Sequence, residues 1–295
     1  MMKLLHVVRP HIVLGGFLGY VAGVLYGLTM GGAIELTGFI VGYLIVLFMD
    51  LSTHFNNDYF DVEVDQHQPF KPFGNKNIFL EHPELMKTSL YASAASTIIS
   101  LVIATVMLRE TSWHLLATVA LFNILGWLYS APPVKLGSRR LGEATIAVGT
   151  GFCVPAVGYI VAMRRLTDVF TPFMVPLVLY GFILSLCLQI PDYEVDQKMG
   201  KKTIVGLIGR KKTYILILLI AAIASFNSFM FLQVSGQLVW LRWTTLIPLI
   251  ISLYGASVSG SHEDAKNYTM LNVSGLFIFL IIVDIVLLYS SGLTK

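Results

Sequence analysis

Apolar stretches about 20 residues long recur from one end of this chain to the other, each long enough to cross roughly 30 Å of hydrocarbon as a helix. Few features narrow a fold so severely. The composition agrees: 56% of residues are hydrophobic and only 13% are charged, about half the charged share of a soluble domain. The expectation is an all-α, polytopic membrane protein, a single bundle of nine transmembrane helices forming one domain over residues 1–295. The spans are expected at 10–29, 34–57, 88–108, 114–131, 144–163, 171–190, 213–233, 243–260 and 270–290. The opening "MMKLLHVVRP" runs into the first apolar stretch without a small-residue cleavage site, so it reads as a retained span and not a removed signal peptide. Cys153 and Cys187 both fall inside apolar runs without metal-ligand company and read as packed side chains.

Basic residues gather on the cytoplasmic side of membrane proteins. With nine spans, the N-terminus shares a side with the connections after spans 2, 4, 6 and 8. Of the 20 Lys and Arg residues, only Arg109, Arg164, Arg165, Arg242 and Lys295 fall on the other side. The N-terminus is therefore expected to be cytoplasmic. The long connections after spans 2 and 6 lie on that same face.

Two acidic phrases close those two spans: "DVEVDQ", Asp61 to Gln66, and "DYEVDQ", Asp192 to Gln197. Four crossings separate them, so both copies face the cytoplasm. This suggests two structural halves, about 1–140 and 141–295, with each half donating carboxylates from one helix end. His54, Asn57, Asp61 and Asp65 recur at steps of three or four residues, as do Ser185, Gln189, Asp192 and Asp196. That spacing puts each set on one helix face, with Pro191 expected to kink the second segment.

Four aspartates near one surface repel unless cations lie between them. Clustered carboxylate oxygens suit Mg²⁺, which keeps waters and commonly joins a carboxylate to a substrate phosphate. Lys135, Arg139, Arg140, Lys201 and Lys202 lie on the same side and suit the remaining phosphate charge. Intramembrane carboxylates also mark ion or proton pathways, so an ion-coupled transporter is the competing class. A transporter, however, needs acids near mid-membrane rather than at one surface. A CDP-alcohol phosphotransferase ranks third, because neither acidic phrase supplies its leading Asp-Gly and Ala-Arg.

At these residues the chain resembles the UbiA superfamily of intramembrane prenyltransferases. "NDYFDVEVD", Asn57 to Asp65, matches an NDxxDxxxD pattern, and "DYEVDQKMGKKT", Asp192 to Thr203, matches DxxxD followed by Gly, Lys and Thr. "LYSAPPVKLGSRRLGE", Leu128 to Glu143, is similar to the family's connection after the fourth helix, and nine spans is the family's number. The resemblance implies transfer of an isoprenoid chain from a prenyl diphosphate donor to an acceptor, with Mg²⁺ as cofactor. It implies a first metal set of Asn57, Asp58, Asp61 and Asp65 and a second of Asp192 and Asp196. Asp61, Asp65, Asp192 and Asp196 would be the catalytic carboxylates. Tyr129, Lys135, Lys201 and Arg9 correspond to residues that line the cavity or hold phosphate.

Several quinone- and lipid-making members carry an Arg-rich NRPxRP-like stretch after the first motif. Here the chain reads "QHQPFKPFGNKNIFLEHPELMK", Gln66 to Lys87, with Lys71 the only base in the part that corresponds to that stretch. An aromatic quinone precursor is the expected acceptor, with a glyceryl phosphate lipid or haem as alternatives. The other expected partner is the lipid bilayer, not nucleic acid. Asp50 sits on the polar stripe two turns into span 2, whereas Asp284 lies nearer the opposite face and reads as structural. "SHEDAKN", Ser261 to Asn267, reads as a connection on the motif side, and Gly15, Gly16, Gly19 and Gly23 as close helix packing.

Overall fold

The computed structural model describes residues 10–67, 77–232, 234, 236–257 and 261–292. Among them, nine helical segments are long and apolar enough to cross a membrane. Among the described residues the regular structure is otherwise limited to short helices and one isolated bridge between Arg139 and Lys202. The first half contains α1 (Pro10–Thr29), α2 (Leu36–Phe60), the short α3 (Val62–Asp65), α4 (Met86–Val106) and α5 (Trp113–Ser130). A fifth span follows, made of α6 (Gly142–Val148), a π-helical turn (Gly149–Cys153) and α7 (Val154–Met163). Then come α8 (Phe170–Gln189), the short α9 (Tyr193–Lys198) and α10 (Ile204–Ile208), and α11 (Arg210–Phe231). The eighth span joins a 3₁₀ turn (Gly236–Val239) to α12 (Trp240–Thr244) and α13 (Leu246–Tyr254), and α14 (His262–Ser291) closes the bundle.

Lipid supplies no hydrophobic drive between helices, so close approach and hydrogen bonds hold such bundles together. Both devices are visible. Along α1 the glycines let α7 approach until backbones touch: a Cβ at Gly23 would strike the carbonyl oxygen of Pro155, and one at Gly158 that of Tyr20. Gly16 instead faces the Asp50 carboxylate, and Gly15 faces the Phe277 ring. On α4 the buried face is a ladder of Ser89, Ser93, Ser96 and Ser100. Ser89 donates to the Phe55 carbonyl (3.0 Å) and Ser93 to the Ser52 carbonyl (2.8 Å), which ties α4 to α2. Cys153 and Cys187 are both buried and free.

Three boundaries, in the last two spans, differ from expectation. The eighth span begins at Gly236 and ends near Tyr254, and the ninth helix begins at His262 rather than near 270. "SHEDAKN" is thus the opening of α14, not a connection. Ser261 caps it, its Oγ accepting from the Asp264 amide at 3.2 Å, and Glu263 and Asp264 lie in the first turn. Hydropathy marks where a helix enters lipid, and this helix starts two turns before that point.

Candidate active site

Each acidic phrase lies across a break between a spanning helix and a short one. At the first corner α2 ends at Phe60, and Asp61 leaves helical geometry (φ −101°, ψ 9°) before α3 resumes. The turn is still tight: the Asp61 amide donates to the Asn57 carbonyl (2.9 Å) and the Asp65 amide to the Asp61 carbonyl (2.8 Å). Ser130, the last residue of α5, shares its hydroxyl between Asn57 Oδ1 and Asp61 Oδ2, the latter at 3.3 Å. Asn77 Nδ2 donates both to the Asp58 carbonyl and to Asp65 Oδ2, each at 2.8 Å. Asp58 itself is buried.

At the second corner α8 ends at Gln189 and Asp192 serves as N-cap of α9. Pro191 has no amide hydrogen, so continuing the helix would leave a carbonyl unpaired. The Asp192 amide donates to the Gln189 carbonyl (3.1 Å) and the Asp196 amide to the Asp192 carbonyl (2.8 Å), repeating the first corner. The kink expected at Pro191 is present. A matching break at Asp61, where no proline stands, was not signalled by the spacing.

Lys201 joins the two corners. Its Nζ lies 3.6 Å from Asp196 Oδ1, and the Asp196 side chain is 1% exposed. Its charge also acts on Asp61, Asp192 and Tyr129. Asp61 in turn feels Asp65 and Lys135. The structure therefore gathers Asp61, Asp65, Asp192, Asp196, Tyr129, Lys135 and Lys201 at one end of the bundle. Arg139 is exposed, its backbone bridged to Lys202 and its Nη2 donating to the Pro133 carbonyl at 2.8 Å. Arg9 lies outside the described residues.

A backbone strap holds Lys201 in place. The Lys202 amide donates to the Ser138 carbonyl (3.2 Å), and the Arg140 amide donates to the Lys202 carbonyl (2.8 Å). The Ile204 amide donates to Oε1 of the fully buried Glu143 (2.7 Å). Lys135 and Arg140 adopt left-handed backbone (φ 44° and 59°), unusual for residues with a Cβ and sustained only where surroundings enforce it. Here the connection after α5 is pinned to the connection after α9. Tyr129 packs against Gly137 and Gly142 beneath that connection.

Burial sets the electrostatics. Loss of water raises the Asp61 carboxyl to about 6, with Asp65 adding to the rise while Lys201, Ser130 and Lys135 oppose it. Burial likewise raises Asp196 against the pull of Lys201. For Lys201 burial alone would lower the ammonium, but Tyr129, Asp196, Asp61 and Asp192 outweigh it, so its pKa is raised and the charge is retained. One lysine is thus held charged among carboxylates that are themselves short of solvation.

The donor set fits Mg²⁺. Both carboxylate oxygens of Asp196 are buried and accept no hydrogen bond, Oδ1 having only the Lys201 ammonium at 3.6 Å, so they have coordinating capacity to spare. Among the described residues no three acidic, histidine or cysteine side chains already converge as a complete cage. Mg²⁺ does not require one, since it is usually bound through one or two carboxylates, several waters and substrate phosphate. A cavity of about 370 Å³ at the opposite end, lined by Glu35, Thr37, Gly38, Glu110 and Arg164, contains no motif residue.

Sequence reasoning missed Ser130, Glu143, Asn77, Glu194 and Arg210. Ser130 and Glu143 lie inside the conspicuous stretch Leu128 to Glu143, and Asn77 lies inside the connection after the first motif. Burial is not written in sequence, so Ser130 could not be told from any other residue at the end of a span, nor Asn77 and Glu143 from loop residues. Arg210 counts in the topology only as a positive charge. In the fold it is buried and forks onto Glu194, with Nη1–Oε1 at 2.6 Å and Nη2–Oε2 at 2.5 Å.

The model of the UbiA prenyltransferase family matches residues 17–281. A 1,4-dihydroxy-2-naphthoate octaprenyltransferase from Bacillus subtilis is 21% identical over 203 residues, 69% of this chain. The match spans 65% of that relative's length, just under two thirds. A digeranylgeranylglyceryl phosphate synthase from Pyrococcus horikoshii is 25% identical over 254 residues, covering 85% of this chain and 84% of its own. The fold is similar to that of a UbiA homolog from Archaeoglobus fulgidus bound to DMAPP and Mg²⁺, with TM-score 0.70, 17% identity, and coverage of 95% of this chain and 98% of the other.

Proposed function

The chain belongs to the UbiA prenyltransferase family, and we propose that it transfers an isoprenoid chain from a prenyl diphosphate to an aromatic quinone precursor within the membrane, with Mg²⁺ as cofactor. The observation that carries this reading is the placement of Lys201 between the two acidic corners, where one charged diphosphate could engage both. The N-terminus and this end of the bundle are assigned to the cytoplasmic face of the cell membrane, on the basic-residue asymmetry. The two carboxylate corners are read as one contribution from each half of the chain.

Asn57, Asp58, Asp61, Asp65, Asp192 and Asp196 would hold the metal. When bound, Mg²⁺ offsets negative charge on the leaving diphosphate as its bond to the allylic carbon weakens. The chain's own residues do the rest. Lys201 and Lys135 present fixed positive charge where negative charge develops, which is stabilisation without reorganisation. Ser130 orients Asn57 and Asp61 together, and Tyr129 borders the site from α5. The carbon left behind is cation-like, and the surrounding apolar helices exclude the water that would quench it.

An aromatic acceptor is supported by the match to the 1,4-dihydroxy-2-naphthoate octaprenyltransferase. A glyceryl phosphate acceptor is the second reading, supported by the longer match to the Pyrococcus horikoshii synthase. The test combines purified protein, Mg²⁺, geranyl or longer prenyl diphosphates and a screen of hydroxybenzoate, dihydroxynaphthoate and geranylgeranylglyceryl phosphate. Tail transfer and diphosphate release are followed by chromatography. Asp61→Asn and Asp192→Asn are each expected to abolish transfer without lowering the melting temperature. Transfer that persists in either variant refutes the two-corner site.

A further inference from the structure

The two acidic corners are open bends, and a bend between two helices is a hinge unless something fixes it. Each corner has such a device, supplied from farther along the chain: by the connection after the first corner and by the first residue of α11 after the second. Asn77 donates from one amide nitrogen to the Asp58 carbonyl at the end of α2 and to the Asp65 carboxylate of α3, both at 2.8 Å. Its own Oδ1 accepts from the Phe79 amide at 3.0 Å, and its side chain is nearly inaccessible. Arg210 does the equivalent at the second corner. Nε donates to the Ile190 carbonyl (2.9 Å) and Nη2 to the Pro191 carbonyl (3.3 Å) past the end of α8, while the fork grips Glu194 in α9. The guanidinium also lies 5.5 Å from the Tyr193 ring centroid.

The geometry points to Asn77 and Arg210 as a matched pair of positioning residues: each clamps a spanning helix to the short helix beyond it, and so sets the spacing of Asp61 with Asp65 and of Asp192 with Asp196. The two act differently in detail. Asn77 touches a motif carboxylate directly, whereas Arg210 acts through Glu194, two residues before Asp196. Their function is to hold the oxygens in place before metal and diphosphate arrive, the part that hydrogen-bonded partners of metal ligands generally take. This inference rests on the proposed Mg²⁺–diphosphate site.

The experiment measures binding of geranyl thiolodiphosphate, which resists cleavage, to the full-length protein across a Mg²⁺ series, with melting temperatures recorded in parallel. Asn77→Asp keeps the shape but loses both donated bonds, and Glu194→Ala removes the acceptor that Arg210 grips. Each is expected to raise the half-saturating Mg²⁺ about 10- to 100-fold, the usual effect of losing such support. Glu194→Gln, which keeps an acceptor, is expected to recover most of that loss. If Asn77→Asp lowers the melting temperature, Glu194→Ala decides the matter, because the Glu194 side chain is 50% exposed. Wild-type Mg²⁺ dependence in Asn77→Asp and Glu194→Ala, alongside lost binding in Asp61→Asn, overturns the clamps and leaves the site standing. Absence of Mg²⁺-dependent binding by the wild-type protein overturns the transferase reading and the clamps together.

Discussion

Replacing Lys201 with Met removes the charge between the two corners while keeping most of the length of the side chain. In the metal-free protein the loss should be large, because Asp196 is 1% exposed and its nearest cation, 3.6 Å away, disappears. Unit charges about 4 Å apart interact by about 4 kcal/mol at an effective dielectric of about 20. The lysine side chain remains 21% exposed, and protonation of an aspartate can relieve part of the penalty. A destabilisation of about 2–3 kcal/mol at neutral pH is the resulting expectation, somewhat below the usual cost of stranding one partner of a buried pair. The second part of the prediction has the opposite sign. Mg²⁺ and Lys201 compete for the same carboxylates, so Lys201→Met should bind Mg²⁺ more tightly than wild type when no diphosphate is present. Thermal melts in detergent, with EDTA and then with graded Mg²⁺, measure both effects: a lower starting temperature and a larger metal-induced rise, as ligand linkage requires. Turnover should nevertheless fall, since the lysine no longer meets the phosphate. Equal melting temperatures in EDTA together with equal Mg²⁺-induced shifts would refute the idea that Lys201 stands in for the metal.

Three further outcomes are expected. Gly23→Ala should destabilise the bundle by about 3 kcal/mol, at the upper end of overpacking costs, because the new methyl meets the backbone of Pro155 and no side chain can rotate away; detergent melts check it. Glu143→Ala strands the Ile204 amide and should cost about 2 kcal/mol, whereas Glu143→Gln keeps an acceptor and should cost under about 1 kcal/mol. The raised Asp61 pKa, about 6 without metal, means that the folded state favours the neutral acid. Its burial therefore costs stability as pH rises from its ordinary range through about 6, and melts in EDTA should show Asp61→Asn flattening that decline. In the same window proton and metal compete, so transfer at limiting Mg²⁺ should weaken as pH falls below about 6 and recover with excess Mg²⁺.

The nine spans, the two free buried cysteines and the close approach of α1 were legible because each follows from a local property of the chain. An apolar run of sufficient length becomes a helix in lipid regardless of its neighbours, and a glycine-rich face invites a partner whichever helix supplies it. The same locality explains the misplaced start of α14: hydropathy reports the lipid boundary, and a capped helix can begin before it. The acidic phrases were also visible, and parity of crossings was enough to put them on one face.

What tertiary structure alone decided is how those carboxylates are held. That Lys201 sits between the corners depends on the strap from Ser138 to Glu143 meeting the segment from Lys201 to Ile204. That Asn77 and Arg210 close their bends depends on which carbonyls the bends leave free. These are contacts between residues distant in sequence, made strong by exclusion from water. Solvation is a property of the assembled bundle, and no single stretch of the chain carries it.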